Sequence, residues 1–394
     1  MSFGNAGKAR IARLQARMKE KGVAALLCLK PLTTFYLSGF NPIIHSHPVV
    51  VILTTDGEPT LLVHALRDDH ARASAWTKDI RLFGSWSTKR TMSPSWLNAV
   101  REILKERGVI DGPLGIEEDY LSIARLKEIQ GAVPNVKFVD ISSLIKESRF
   151  VKDASEIEDL RKACKLADVG MAAAIDALHV GASEREISNA SMAAMHKAWA
   201  DNYPEVEVAD VGHGEGGLLY GLWTYALFGD RVLLNCDNPT LRQAQNGEIA
   251  LIVVLTCANC QKGENERAVA IGELPKEKRR AYDAILEVRA RTCDLVRAGT
   301  PVRELFAAAK AEYQRLGYGA NIPGRIGHGM GLGHHEYPSI DAETDFVLQP
   351  NMVITYEPNL RIAEWGGLQH SDTVLITETG HEFLTKTDNG FIQV

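Results

Sequence analysis

Two histidines seven residues apart, His328 and His335, lie in the glycine-rich run Gly327-His328-Gly329-Met330-Gly331-Leu332-Gly333-His334-His335-Glu336, and Thr355-Tyr356-Glu357-Pro358 follows it. Upstream, Glu264 and Glu266 stand just beyond an almost unbroken apolar stretch, Ile249 to Thr256. Imidazoles that titrate near neutrality shuttle protons, and carboxylates hold cations, activate water or attack an electrophilic carbon. Histidine and carboxylate side chains together also ligate metal ions.

The apolar stretch is rich in β-branched residues and suits a central strand buried on both faces. If Lys262 to Val269 is its paired return strand, two-residue alternation turns Glu264 and Glu266 to the same side. Phe150-Val151-Lys152-Asp153-Ala154-Ser155-Glu156-Ile157 opens a long helix through about Leu178, capped by Ser155 or Asp153. A domain boundary is placed there. Before it, a helical stretch over 8–22, short apolar runs at Ala24 to Leu29 and Val49 to Leu53, a turn leading into Thr60 to Val63, a helix over Trp96 to Arg107 and a strand at Val136 to Val139 make an α/β alternation. After it, Tyr282, Ile285, Leu286, Cys293 and Val296 form a helical apolar face that ends at Gly299. Thr300-Pro301 then opens another helix, which stops at Gly317.

The chain of 394 residues balances 44 basic against 50 acidic residues, for a formal charge of −6. No basic patch extends beyond short runs such as Lys276 to Arg280, which argues against a nucleic-acid partner. No stretch approaches the roughly 18 apolar residues of a membrane span, so a soluble, cytoplasmic protein is expected. Six cysteines at 28, 164, 236, 257, 260 and 293 make no secreted disulfide framework, and the single Cys257-Ala258-Asn259-Cys260 pair reads as reduced thiols beside a buried strand. Gly212-His213-Gly214-Glu215-Gly216-Gly217 lacks the Lys-Ser/Thr of a phosphate loop and reads as a mobile loop over a pocket. His45 and His47 read as solvated loop residues.

The Gly-His-Gly run paired with the Glu-Pro motif resembles the signature of the pita-bread hydrolases, the creatinase/prolidase-like family, over the whole chain. The resemblance implies an α/β (α+β) fold in a homodimer: a small N-terminal creatinase-like domain over 1–150, then a pita-bread catalytic domain over 151–394 with pseudo-symmetric halves. In the family's metallopeptidases two Asp, one His and two Glu hold a pair of metal ions. On this sequence the His is His328 and the first Glu is Glu357. The Asp positions hold Val253 and, eleven residues on, Glu264, and the last Glu becomes Ser371. Val253 has no lone pair and a serine hydroxyl is a poor ligand for a divalent ion, so no metal or other cofactor is expected.

This departure is similar to the metal-free branch of creatinase and the ectoine hydrolases. The active-site Glu of that branch precedes an Arg, as in Asn265-Glu266-Arg267-Ala268, and a second precedes a Pro, as in Tyr356-Glu357-Pro358. The resemblance implies a metal-independent hydrolase that opens a cyclic amidine by C–N cleavage. Ectoine and hydroxyectoine are the expected substrates, N-acetyl-2,4-diaminobutyrate the product, and a downstream deacetylase a further partner. A metal-dependent Xaa-Pro dipeptidase and a non-catalytic binding module are the rival readings.

Glu266 is then the reacting carboxylate, as base or as nucleophile, with Glu357 orienting the substrate, His335 carrying a proton and His328 beside them. The branch's further catalytic His, just before an Asn-Pro pair, is missing from Asn235-Cys236-Asp237-Asn238-Pro239, so Asp237, Cys236, His334 or His370 is left to fill that role. For a small zwitterionic substrate, Glu264, Tyr220, Trp223 and Tyr225 are candidate pocket residues. Arg325, Arg361 or a residue of a partner subunit is the candidate carboxylate anchor. The plain alternative makes Glu264 a salt-bridge partner of Arg267 and the aromatic residues core.

Overall fold

The computed structural model describes residues 3–211 and 221–394, and the chain divides into two compact units. One is built on Met1–Arg149, the other on Phe150–Ala209 and the chain from 221 onward. Tyr220 and the glycine-rich run 212–217 lie outside the described residues.

The first unit holds strands β1 (Ala25–Cys28), β2 (Val50–Thr54), β3 (Thr60–His64), β4 (Asp79–Phe83), β5 (Pro113–Ile116) and β6 (Lys137–Asp140) in the sheet order β4-β3-β2-β1-β5-β6. Its helices are α1 (Phe3–Glu20), α2 (Pro31–Ser38), α3 (Asp68–Ser74), α4 (Trp96–Glu106), α5 (Ile123–Ala132) and α6 (Ser142–Ser148). Ala99, Val100, Ile103 and Leu104 recur at helical spacing along α4 and bury against Leu27, Val50, Ile52 and Leu114 of the sheet. β2 and β3 pair antiparallel, as the turn between them predicts.

The second unit opens with α7 (Ala154–Ala177), whose cap is Asp153: its carboxylate accepts from Ser155 N and Glu156 N, each at 3.0 Å, while Glu156 reaches back to Asp153 N. α8 (Glu184–Asn202) starts at a second capping box, Ser183 with Glu186. Strands β7 (Leu222–Phe228), β8 (Glu248–Ala258) and β9 (Gln261–Ile271) follow, then α9 (Lys276–Thr292) and α10 (Val302–Leu316), the latter ended by Gly317 at φ 88. The remaining strands are β10 (Arg325–Gly329), β11 (Glu336–Asp341), β12 (Val353–Tyr356), β13 (Leu360–Ile362), β14 (Gly366–Leu368), β15 (Ser371–Ile376) and β16 (His381–Phe383). The main sheet runs β11-β10-β12-β15-β9-β8-β7 with β16 beside β15, and β13 pairs only β14.

β8 is buried on both faces. Ala250, Ile252 and Val254 pack with Leu166 and Met171 of α7, whereas Leu251 and Val253 pack with Tyr225, Leu227 and Val232. Helices α9 and α10 cover the other half of the sheet through Tyr282, Ile285, Leu305 and Tyr313, against Ile326, Ile354 and Val374. No helix among the described residues is long and apolar enough to cross a membrane.

Candidate active site

β9 is buried at every position although it carries Lys262, Glu264, Asn265, Glu266 and Arg267 in succession. A polar strand inside a sheet requires a partner for each charge. Arg267 has several: its guanidinium donates to Asp372 Oδ1 at 2.7 Å and to the carbonyls of Glu266, Ser371 and Thr387. Arg289 grips the second oxygen of Asp372, and although burial pushes that carboxyl up, the two guanidinium groups hold it below the usual carboxylate range. This clamp ties β9, β15 and α9 together. It also corrects the plain alternative for Glu264, since the ion-pair partner of Arg267 is Asp372.

Glu264 and Glu266 are placed differently. Glu264 Oε1 accepts the Ser371 hydroxyl at 3.0 Å. Glu266 stands between Val253, its register partner on β8, and Ser371, its partner on β15. The described residues form no hydrogen bond to the Glu266 carboxylate, and its Oε2 is shut off from solvent. Burial, then the charges of Glu264 and Glu357, lifts this carboxyl well above its ordinary range. Burial and Glu357 likewise lift Glu264 to about 8, with Ser371 and Arg325 opposing.

Glu357 follows β12 and is gripped locally: Thr355 Oγ1 donates to Oε1 at 3.1 Å and Asn359 Nδ2 to Oε2 at 3.5 Å. His328 sits on β10 with its ring Nε2 3.4 Å from Glu357 Oε1 and its Nδ1 3.1 Å from the Gly329 carbonyl. A carbonyl only accepts, so Nδ1 carries the ring proton and Nε2 presents a lone pair. Burial, then His335, lowers His328 to about 3, and burial raises Glu357. Both shifts favour the uncharged form of each partner. The His335 ring centroid lies 4.4 Å from that of His328, at the exposed side, and burial followed by Arg325 lowers its pKa.

The other candidates separate. Tyr225 is buried, with its hydroxyl 3.2 Å from Cys236 Sγ, and burial and the charge of Glu266 push the phenol up. Trp223 lies on the same face of β7, more exposed. Asp237 forms an exposed pair with Arg231 at 3.1 Å. His370 is fully buried, with Nε2 3.1 Å from Asn389 Oδ1, and burial beside Arg267 and Arg289 holds it neutral, as a core residue. His334, lowered to about 3 by burial and Lys262, has a buried Nδ1 without a partner among the described residues. Arg361 donates to Asn235 Oδ1 at 2.9 Å. Thr355 and Asn359, which fix the Glu357 carboxyl, escaped the sequence reading, although each stands two residues from Glu357.

The profile of metallopeptidase family M24 matches residues 158–378, more than half of the chain, and that of the creatinase/prolidase N-terminal domain matches 10–151. The chain belongs to family M24. This M24 member is 26% identical over 377 residues to the putative dipeptidase YkvY of Bacillus subtilis, covering 96% of this chain and 97% of that one. An uncharacterized peptidase of Staphylococcus haemolyticus is 27% identical, covering 96% and 99%. Among solved structures, prolidase from Pyrococcus furiosus superposes with a TM-score of 0.78 at 27% identity, covering 95% and 99%. The Xaa-Pro dipeptidase from Bacillus anthracis gives 0.83 at 23% identity, covering 98% and 100%, a likeness of fold.

The donor set of this M24 chain does not fit the family's pair of metal ions. Val253 packs in an apolar cluster and Ser371 serves as a donor to Glu264, so neither supplies a ligand oxygen in this arrangement. One three-donor set does persist among the described residues: ligand atoms of Glu264, His328 and Glu357 lie within 4.8 Å of one another. The sequence expectation of no metal is thus narrowed to the loss of a metal pair.

Proposed function

We propose that this M24 hydrolase cleaves a C–N bond of a small amidinium, with ectoine and hydroxyectoine as its substrates. The observation that carries this reading is the Glu266 carboxylate, buried between Val253 and Ser371 and facing Glu264 and Glu357 without a hydrogen-bond donor among the described residues. Three buried carboxyl groups repel one another until a cation or protons join them. A flat amidinium supplies that charge and N–H donors at once.

In this reading Glu264 and the Glu357 carboxyl line the amidinium. Glu266 delivers oxygen to the amidine carbon, either by direct attack or by taking a proton from water. His335, whose ring lies against His328 at the exposed side, carries a proton to the departing nitrogen. Tyr225 and Trp223 wall the pocket on the β7 side.

A second reading, a Xaa-Pro dipeptidase, is what similarity by itself favours, because the neighbours are described as dipeptidases and prolidases. Glu264, His328 and Glu357 would then hold a single ion, which supplies carbonyl polarisation when bound. It stands second because a valine and a serine replace two donors around Glu266. Mass spectrometry of products from ectoine, creatine and a Xaa-Pro dipeptide, each with and without a chelator, decides between them. Ring opening that survives chelation is expected; metal-restored dipeptide cleavage without ring opening would overturn the proposal.

A further inference from the structure

We propose that Arg325 selects the substrate: its guanidinium takes a carboxylate carried by the same molecule whose cation lies among Glu264, Glu266 and Glu357, so the site accepts compact zwitterions over simple cations. The inference rests on the amidinium reading above and adds what the other end of the substrate must be.

Three features single out this arginine. First, the backbone re-aims it. The β10–β11 register shifts between Arg325 and His328, and Gly327 sits there at φ 149, where an added Cβ would lie 2.2 Å from the Thr355 carbonyl oxygen. A bulge of this kind interrupts strict alternation, so the direction of Arg325 is set by the same irregularity that positions His328. Second, it is uncommitted. Asp341 faces it in register but turns its carboxylate to Glu343 N and Thr344 N, and no described residue hydrogen-bonds or pairs with the Arg325 guanidinium. The neighbouring arginines are all engaged: Arg267 and Arg289 on Asp372, Arg231 on Glu184 and Asp237, Arg361 on Asn235. Third, its charge is felt inside the site, by Glu264, Glu357, His328 and His335.

A pocket of carboxyl groups by itself repels any anion. One exposed guanidinium at its edge reverses that locally and offers a planar fork matched to a carboxylate. The resulting field is dipolar, acidic within and basic at the edge, and a molecule with both charges at matching separation gains from each end.

The test compares ectoine with the same methyl-tetrahydropyrimidine ring lacking the carboxylate, on the full chain and its Arg325→Lys and Arg325→Met variants, by kcat, KM and calorimetric affinity. The unmodified protein should favour the carboxylated ring. Arg325→Met should raise KM and Kd for ectoine on the order of 10- to 100-fold, leave the bare ring bound as tightly or more tightly because a repelling cation is gone, and be partly rescued in Arg325→Lys. Circular dichroism and thermal melting of the variants, altered at an exposed side chain, confirm folding. Equal handling of both rings by the unmodified protein, or unchanged ectoine affinity in folded Arg325→Met, overturns the role of Arg325 while leaving amidine hydrolysis intact. Failure of the unmodified protein to bind or turn over either ring removes both proposals together.

Discussion

Glu266 on β9 has Val253 as its register partner on β8. The residue that could not be a ligand and the carboxylate that has no donor among the described residues are therefore neighbours across one strand pair, with Ser371 completing the row on β15. Val253, Glu266 and Ser371 thus share one row across three strands of the sheet.

Activity on an amidine should survive prolonged chelation, and the purified protein should hold far less than one metal ion per chain. Elemental analysis alongside the activity assay measures both. A stoichiometric ion whose removal abolishes turnover would sink the amidinium reading.

Glu266→Gln and Glu357→Gln should keep the fold and lose most turnover, since each swap preserves shape and deletes an ionisable group facing the substrate. Single turnover in ¹⁸O-labelled water separates the two roles of Glu266. Label in its carboxyl group reports direct attack followed by addition of water at the glutamyl carbonyl, whereas activated water leaves the side chain unlabelled.

Stability should depend on pH with a defined sign. The folded-state pKa of Glu264 is raised from 4.5 to about 8, so its contribution is complete below the unfolded value and is lost as pH rises toward 8. His328, lowered from 6.5 to about 3, acts oppositely: its contribution is complete above 6.5 and lost as pH falls toward 3. The two oppose each other between 4.5 and 6.5, and above 6.5 the raised carboxyl groups, Glu264 and Glu266 among them, set the slope. Melting temperature of the ligand-free protein should fall between pH 6.5 and 8, and Glu264→Gln should flatten that slope. An unchanged slope in the variant contradicts the assignment.

His335→Ala should cost on the order of 10²–10⁴ in kcat and remove an ionisation from the rate profile. Asp237→Asn should do much less, because that carboxylate is held by Arg231 on an exposed loop. If Cys236→Ala or Asp237→Asn proves as damaging while the pH profile of His335→Ala is unchanged, proton delivery runs through the Asn-Pro loop instead.

Strong periodicity and end signals made the scaffold legible in the sequence. The run Ile249 to Thr256 announced β8, Gly317 ended α10, and Asp153 capped α7. α8 went unread even though Ser183 and Glu186 carry its capping-box spacing, because its apolar positions are sparse. At the site, the family resemblance pointed to Glu264, Glu266, His328 and Glu357, all of which lie on or beside strands of one sheet. What spacing does not carry is partner choice. Whether Arg267 pairs with Glu264 or Asp372 depends on which strands become neighbours, and β15 reaches β9 from about a hundred residues away.

β9 is paired on both edges, to β8 along its whole length and to β15 at Glu266 and Asn265, with the Arg267–Asp372 clamp behind it. Amides so placed exchange with solvent only when the whole unit opens. Glu266, the carboxylate proposed to react, thus rides on one of the last segments to come apart, unlike sites carried on loops. Denaturant should extinguish activity and fold in one step, with no inactive but folded stage before it.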